Sequence, residues 1–244
     1  MIAWRLEQHD ALASTSDSCI LRAKAGEPEG LAVLALRQTA GRGSRGRQWE
    51  APPGNLNLSV LLRPTLPMAQ SSIFPLLTGV AVADALTAFL PPDIAPVLKW
   101  PNDVLLGGGK LAGILIDAEP KGFAADWLVI GIGVNLASAP EFSHRRTTTL
   151  VRYGGQATPP EAARMVLHYL GFWLDILEHS GPTPIIDAWQ QRGHPIGTEL
   201  QLTGPEPPIS GRFAGLSPTG ELLLNVGSRI ERFSTGEILL GLRN

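Results

Sequence analysis

Lys99-Trp100-Pro101-Asn102-Asp103-Val104, followed by Lys110-Leu111-Ala112-Gly113-Ile114-Leu115, is the stretch from which the rest of the chain can be read. The apolar content of residues 97–106 and 110–117 predicts two strands. Gly107, Gly108 and Gly109 between them are the chemistry of a hairpin turn. Such a hairpin returns Lys110 close to Asp103. Asn102 then offers an amide able to read an adenine edge. Asp103 offers a carboxylate at a strand start, able to hold Mg²⁺ beside a nucleotide. Lys110 offers a point charge for a developing phosphate or carboxylate charge. Taken alone, an ordinary turn and a solvated strand end account for the same residues.

Working outward, residues 14–25 predict a short helix, with Ser14 or Thr15 as its cap and Ile20 and Leu21 on its apolar side. Residues 31–36 read as a buried strand. Residues 39–55, dominated by Gly, Arg and Pro, read as a long loop. Alternation of Leu56, Leu58, Val60 and Leu62 predicts another strand. Residues 71–90 form an amphipathic helical pattern that Pro91 and Pro92 end. Downstream come a strand over 127–135 and helices over 159–179 and 183–192. From Gly197 the pattern changes to short β-rich pieces separated by Gly or Pro, a small barrel of about fifty residues. The expected fold class is α+β: a mixed sheet with flanking helices over residues 1–195, then the barrel over 196–244.

The loop Gly41-Arg42-Gly43-Ser44-Arg45-Gly46-Arg47-Gln48-Trp49 is the most unusual segment. Three guanidiniums so close repel one another unless an anion lies between them. Glycines let the backbone approach that anion and expose its N–H groups. Arginine suits phosphate because its planar fork donates two parallel hydrogen bonds. Trp49 closes the loop with a flat apolar face, as a flap over a phosphorylated intermediate requires. A solvated surface loop is the alternative. Gly41, Gly43 and Gly46 also spell G-x-G-x-x-G, but the following residues contain Pro52 and Pro53 and cannot open the helix of a dinucleotide fold. Gly109-Lys110 is not the end of a P-loop, because Val104 and Leu111 stand where Gly and Ser or Thr are needed. In Gly131-Ile132-Gly133-Val134-Asn135, glycines within a strand signal close approach of a ligand or another backbone, and Asn135 adds an amide.

The bulk composition narrows the classes. A formal charge of −2 disfavours a general nucleic-acid binder. Cys19 is the single cysteine, which excludes a disulfide framework or a multi-cysteine metal site. No apolar run approaches the roughly 20 residues of a membrane span. The opening MIAWRLEQHD lacks the basic start and apolar centre of a signal peptide. A reducing cytoplasm fits these features.

The order of the motifs carries a resemblance. Ser14-Thr15, Gln38-Thr39-Ala40 before the Arg/Gly loop, KWPND, KLAGIL and GIGVN follow one another as in the biotin–protein ligase family. KWPND with KLAGIL is highly specific, and the Arg/Gly loop with its Trp nearly as specific. RFAGLSPTGELLL and RFSTGEI resemble the family's small SH3-like barrel. The resemblance implies a catalytic fold like that of class II aminoacyl-tRNA synthetases. It also implies an ATP-dependent ligase that forms biotinyl-5′-AMP and transfers biotin to a lysine of a biotin carboxyl carrier protein. Ser14, Thr15, Ser16 and Gln38 would bind the polar rings of biotin. Gly41, Arg42, Gly43, Ser44, Trp49 and Gly113 would enclose biotin and its adenylate. Arg45, Arg47, Trp49, Asn102 and Asn135 would serve ATP, and Asp103 both ATP and Mg²⁺. Lys110 would bridge the biotin carboxylate and the α-phosphate. Lys110, Arg42, Arg47 and Asp103 are thus the expected catalytic group.

Two departures stand out. Ser44 occupies a position that is often arginine in the family. Arg243 lies about two positions late for the nucleotide-contacting arginine found near the C-terminus of some members. Only thirteen residues precede Ser14, so no DNA-binding domain and no DNA partner are expected; with no apolar run of membrane length no membrane partner is expected either, and a homodimer is considered. The enzymatic rival is a lipoate–protein ligase, which shares the fold but carries a different Gly-rich signature and no KWPND. The non-enzymatic rival is an RNA-binding protein, against which the lack of interleaved aromatics on the barrel counts.

Overall fold

A computed structural model describes residues 2–50, 52–143, 145–204 and 206–240. Arg243 therefore lies outside the described residues. The main sheet has seven strands: β1 (Arg5–His9), β2 (Leu31–Ala35), β3 (Leu56–Leu62), β4 (Val97–Lys99), β5 (Asp103–Leu106), β6 (Gly109–Lys121) and β7 (Ala124–Val134). Their order is β1-β2-β3-β7-β6-β5-β4. Only β1 and β2 are parallel, the other neighbours being antiparallel, so the sheet is mixed as expected. β1 is absent from the sequence reading, because RLEQH offers little apolar alternation.

The stretch 97–106 is not one strand. Pro101 has no N–H for the ladder, and the chain reverses at Trp100-Pro101-Asn102 so that β4 pairs antiparallel with β5, Lys99 opposite Asp103. The Trp100–Pro101 peptide is cis. A second reversal then pairs β5 with β6 and sets Asp103 opposite Gly113. The consequence is chemical: both Lys99 and Lys110 return to the same aspartate.

Helix α1 (Thr15–Lys24) covers one face of the sheet, with Cys19 and Ala23 packed on Leu31, Val33, Leu61, Trp127 and Val129. Burial pushes the Cys19 thiol up to about 12, so it is an inert core group rather than a nucleophile. Helix α2 (Ile73–Thr87) lies on the other face and is buried over nearly its whole length, not amphipathic as the sequence suggested. Its outward side is covered in turn by α3 (Pro159–Ser180) and α4 (Thr183–Arg192). Asp84 ties the three together, accepting from Trp173 Nε1 at 2.8 Å and Arg192 Nη2 at 2.7 Å. A capping box between Thr158 and Glu161 starts α3.

The C-terminal unit is a five-stranded antiparallel sheet of the SH3-like type: β8 (Glu199–Thr203), β9 (Ile209–Leu216), β10 (Leu222–Val226), β11 (Arg229–Phe233) and β12 (Glu237–Leu240), in the order β11-β10-β9-β8-β12. It is packed tightly on the main domain. Trp100, fully buried, donates its indole N–H to Gly220 O at 3.2 Å. Ser72 Oγ donates to Thr219 O at 2.5 Å. Trp189, His194 and Phe213 stack edge to face at the junction. There burial, with some help from the charge of Lys99, pushes His194 down to about 4, so it is neutral near pH 7.

Candidate active site

The cleft is best built from its floor. Ser14 caps α1, its hydroxyl accepting from Asp17 N at 3.2 Å, which points the next two side chains at the sheet. The Thr15 backbone N–H and hydroxyl both donate to Gln38 Oε1, at 2.7 and 3.0 Å. Thr15 and Ser16 hydroxyls meet Ser59 Oγ at 2.8 and 3.1 Å. Gln38 Nε2 donates to Asn57 Oδ1 at 3.3 Å, and Asn57 Nδ2 to Ala35 O at 3.2 Å. Asn57 and Ser59, on a strand otherwise apolar, do not line the cleft but hold Thr15, Ser16 and Gln38 from behind, a supporting role the sequence reading missed. They stand out as polar residues inside the LNLSVLL run, among buried leucines and valines.

Glycines shape the floor above this network. A Cβ on Gly131 would sit 2.6 Å from Ser16 Oγ, and one on Gly133 would sit 2.4 Å from the Trp49 indole. One on Gly113 would lie 3.1 Å from both the Lys110 side chain and Trp49. The GIGVN glycines thus admit α1 on one side of the cleft and the flap on the other.

The flap is a tight hairpin, more ordered than the loop predicted. Trp49 N donates to Gly41 O at 2.9 Å, and Gly43 N to Arg47 O at 2.8 Å. Arg45 and Gly46 both take positive φ, as the central residues of such a turn must. A Cβ on Gly41 would sit 2.4 Å from Trp49 O, so glycine is required where the hairpin closes. Ser44 accepts from the Arg47 side chain twice, at Oγ (3.1 Å) and at the backbone carbonyl (3.3 Å). Each arginine has an acidic partner. Arg42 pairs bidentately with Asp117 at 2.8 and 3.1 Å and reaches Asp17 at 3.1 Å; chiefly the Asp117 bonds raise its pKa. Arg47 and Arg45 reach Glu237, on β12, at 3.2 and 3.8 Å. Trp49 lies over the glycine floor, leaving a cavity of about 40 Å³, room for a few waters and no more.

At the inner end of the cleft Lys110 Nζ is ion-paired with Asp103 Oδ1, while Lys99 Nζ reaches Oδ2 at 3.2 Å. Burial pushes the Asp103 carboxyl up, but the charges and hydrogen bonds of Lys110 and Lys99 outweigh it and hold the group below the usual carboxylate range. Lys110 Nζ also sits 5.7 Å from the Trp49 ring centre, within cation–π range. Asn102 Nδ2 donates to Ile114 O at 2.7 Å, locking the WPN turn onto β6. Asn135 donates to Lys110 O at 3.3 Å, and its buried Oδ1 has no partner among the described residues. Beside it Thr148 N donates to Lys110 O at 3.0 Å, and Thr148 Oγ1 is also buried and unpartnered among the described residues.

Comparison with known proteins agrees with this geometry. Residues 14–135 match the Biotin/lipoate A/B protein ligase family, and residues 196–241 match the biotin protein ligase C terminal domain. A biotin–[acetyl-CoA-carboxylase] ligase of Paracoccus denitrificans is 33% identical, over 86% of this chain and 90% of that protein. The ligase of the same description from Mycobacterium tuberculosis is 32% identical, over 97% of this chain and 89% of that protein. The chain belongs to the biotin protein ligase family. Among solved structures, a biotin protein ligase from Aquifex aeolicus in complex with biotin and ATP matches with a TM-score of 0.82 and 30% identity. The match covers 97% of this chain and 98% of that one.

With respect to that family's chemistry, one cleft gathers Thr15, Ser16, Gln38, Arg42, Gly43, Ser44, Trp49, Asn102, Lys110 and Gly113. An adjoining hollow gathers Arg45, Arg47 and Asp103 with Lys99 and Glu237. Ser14 serves as a cap, Gly41 closes the flap hairpin against Trp49, and Asn135 lies behind the Lys110 backbone. Lys99, Asp117 and Glu237 went unread in the sequence, because ion pairs across distant elements leave no local pattern.

Proposed function

We propose that the chain activates biotin with ATP as biotinyl-5′-AMP and passes the biotinyl group to one lysine of a biotin carboxyl carrier protein. The observation that carries this reading is the position of Lys110. Its ammonium stands where the neutral hydrogen-bonding floor meets the arginine flap. A ligand with a polar ring system at one end and a carboxylate at the other suits that polarity.

In the first step a biotin carboxylate oxygen attacks the α-phosphorus of ATP, an O–P bond forms, and the bond to the β-phosphate oxygen breaks to release pyrophosphate. Two anions must approach, so cations have to offset their repulsion. Lys110 serves the reacting oxygens, with Asp103 fixing its direction. Arg45, Arg47 and Lys99 are the cations that would meet the outgoing pyrophosphate, while Asn135, buried behind the Lys110 backbone, would steady that lysine. The Trp49 indole has to leave the floor for biotin to enter and then covers the anhydride, excluding water. In the second step the neutral ε-amine of the carrier lysine attacks the acyl carbon, a C–N bond forms, AMP leaves with the electron pair of the broken C–O bond, and the amine gives up one proton to solvent.

Asp103 was expected to hold Mg²⁺, and the donor set does not fit that role. Both its oxygens face ammonium groups, and Glu237, the other carboxylate of the hollow, is held by two arginines. Among the described residues no helix is long and apolar enough to cross a membrane. The lone buried thiol suits a reducing cytoplasm, which we propose as its setting. Beyond Gly113 the outer edge of β6 has no strand partner among the described residues, which favours a homodimer through that edge.

The test is to incubate the protein with ATP, Mg²⁺, biotin and a carrier domain. Mass spectrometry should show one biotinyl group on one lysine. Absence of biotin labelling, with lipoate accepted instead, would overturn the reading.

A further inference from the structure

We propose that Glu237, on the C-terminal sheet, is an internal stand-in for nucleotide phosphate, holding Arg45 and Arg47 until a polyphosphate displaces it. The proposal rests on the ATP reading above and adds a role for the second domain in governing access to the flap.

The flap arginines cross the domain boundary. Arg47 Nη2 lies 3.2 Å from Glu237 Oε2 and Nη1 donates to Oε1 at 3.4 Å, while Arg45 Nη1 lies 3.8 Å from Oε2. Glu237 opens β12 opposite Thr203 of β8, and Thr203 Oγ1 donates to the Glu237 carbonyl at 3.0 Å. The carboxylate is therefore anchored to a sheet, and the flap is the part free to move. Arg45 is the one non-glycine residue of positive φ among the described residues, at 59°. That conformation is uncommon for a long side chain, and here it carries the guanidinium to the β8–β9 turn, where a Cβ on Gly204 would lie 3.4 Å from Arg45 Nη2.

Charge explains why this contact is provisional. The hollow is lined by Arg45, Arg47 and Lys99 against Asp103 and Glu237. Lys99 and Lys110 already share Asp103. One carboxylate is left for two guanidiniums, so the corner stays electropositive. A polyphosphate brings several charges and enough oxygens to engage both forks, which a single carboxylate cannot do. An interdomain strut is also not needed here, since Trp100–Gly220, Ser72–Thr219 and the Phe213 cluster already join the domains. The contact consequently lets the arginines be paired without ligand and yields when ATP arrives.

The experiment compares wild type with Glu237→Gln and Glu237→Asp. Gln keeps the shape and the backbone pairing but removes the charge; Asp keeps the charge. ATP binding without biotin is titrated, tryptic cutting of the flap without nucleotide is followed, and KM for ATP and kcat are taken from pyrophosphate exchange. Glu237→Gln should bind ATP about threefold to tenfold more tightly, the scale of two half-exposed ion pairs. Its flap should be cut faster without nucleotide, and its KM for ATP should fall while kcat stays. Glu237→Asp should remain nearer wild type. A Gln variant that binds ATP equally or more weakly than wild type overturns the proposal. A wild type that binds no ATP overturns it together with the functional reading, so the two failures are distinct.

Discussion

Below the cleft, Thr15, Ser16, Asn57 and Ser59 are buried and neutral, and with Gln38 they satisfy one another at fixed distances. Above it, Arg42, Arg45 and Arg47 are exposed and charged, each held by a carboxylate from an element outside the flap. A buried network of neutral groups holds its geometry before any ligand arrives, and an unmatched group there is costly. Half-exposed ion pairs are weak and exchangeable. The floor is therefore suited to select the ligand, and the flap to gather and release phosphate.

Lys110 sits where the two regions meet, and its loss has the largest expected effect. Lys110→Ala should lower adenylate formation by about 3–4 kcal/mol of transition-state stabilisation, as loss of one preorganised donor does. The strand start after a glycine turn tolerates the change, so circular dichroism should be unaltered. Activity within tenfold of wild type, at saturating biotin and ATP, would remove Lys110 from the chemistry.

Much of this was legible in the sequence because the chemistry-bearing residues lie in short, ordered motifs. The Gly turn before Lys110, the Ser14 cap and the strand glycines each express a local backbone rule. What stayed hidden was set by tertiary context. The polar pair Asn57 and Ser59 gains meaning only when α1 lands on β3. The burial of α2 on all sides follows from α3 and α4, remote in sequence. The reversal at Pro101 was readable from a residue that cannot join a ladder, yet the apolar residues around it argued for one strand.

The domain junction belongs with the rigid region, and acid should break it. His194 is held near 4 when folded against an ordinary 6.5. The folded state therefore binds fewer protons, and stability falls as pH drops from about 6.5 towards 4. The full loss is about 3 kcal/mol. The Asp103 carboxylate, shifted downward, weakens the fold only below its ordinary 3.8. Chemical denaturation between pH 7 and 4.5 should show the loss, and His194→Gln should flatten it. An unchanged slope in that variant would place the acid sensitivity elsewhere.

Within the floor, Ser59→Ala removes a buried hydroxyl that meets both Thr15 and Ser16. The expected loss is about 1–2 kcal/mol, read as a biotin KM raised roughly tenfold with the ATP KM unchanged. An equal rise in both constants would contradict the division between floor and flap.

The flap should be more forgiving. Ser44→Arg supplies a guanidinium that could engage the bound adenylate, but it removes the Oγ that Arg47 uses. The net gain should be about 1 kcal/mol, seen as slower release of adenylate in single-turnover experiments without carrier. Release at the same or a faster rate would show that the hydroxyl's hold on Arg47 matters more than added charge.

The central claim is that one cleft joins a floor-bound carboxylic acid to a flap-bound nucleotide, and exchange of labelled pyrophosphate into ATP reads that step directly. The protein should catalyse exchange only when biotin is present, and Lys110→Ala should slow it by roughly two to three orders of magnitude. Exchange supported by lipoate but not by biotin, or none while both ATP and biotin bind, would contradict the account.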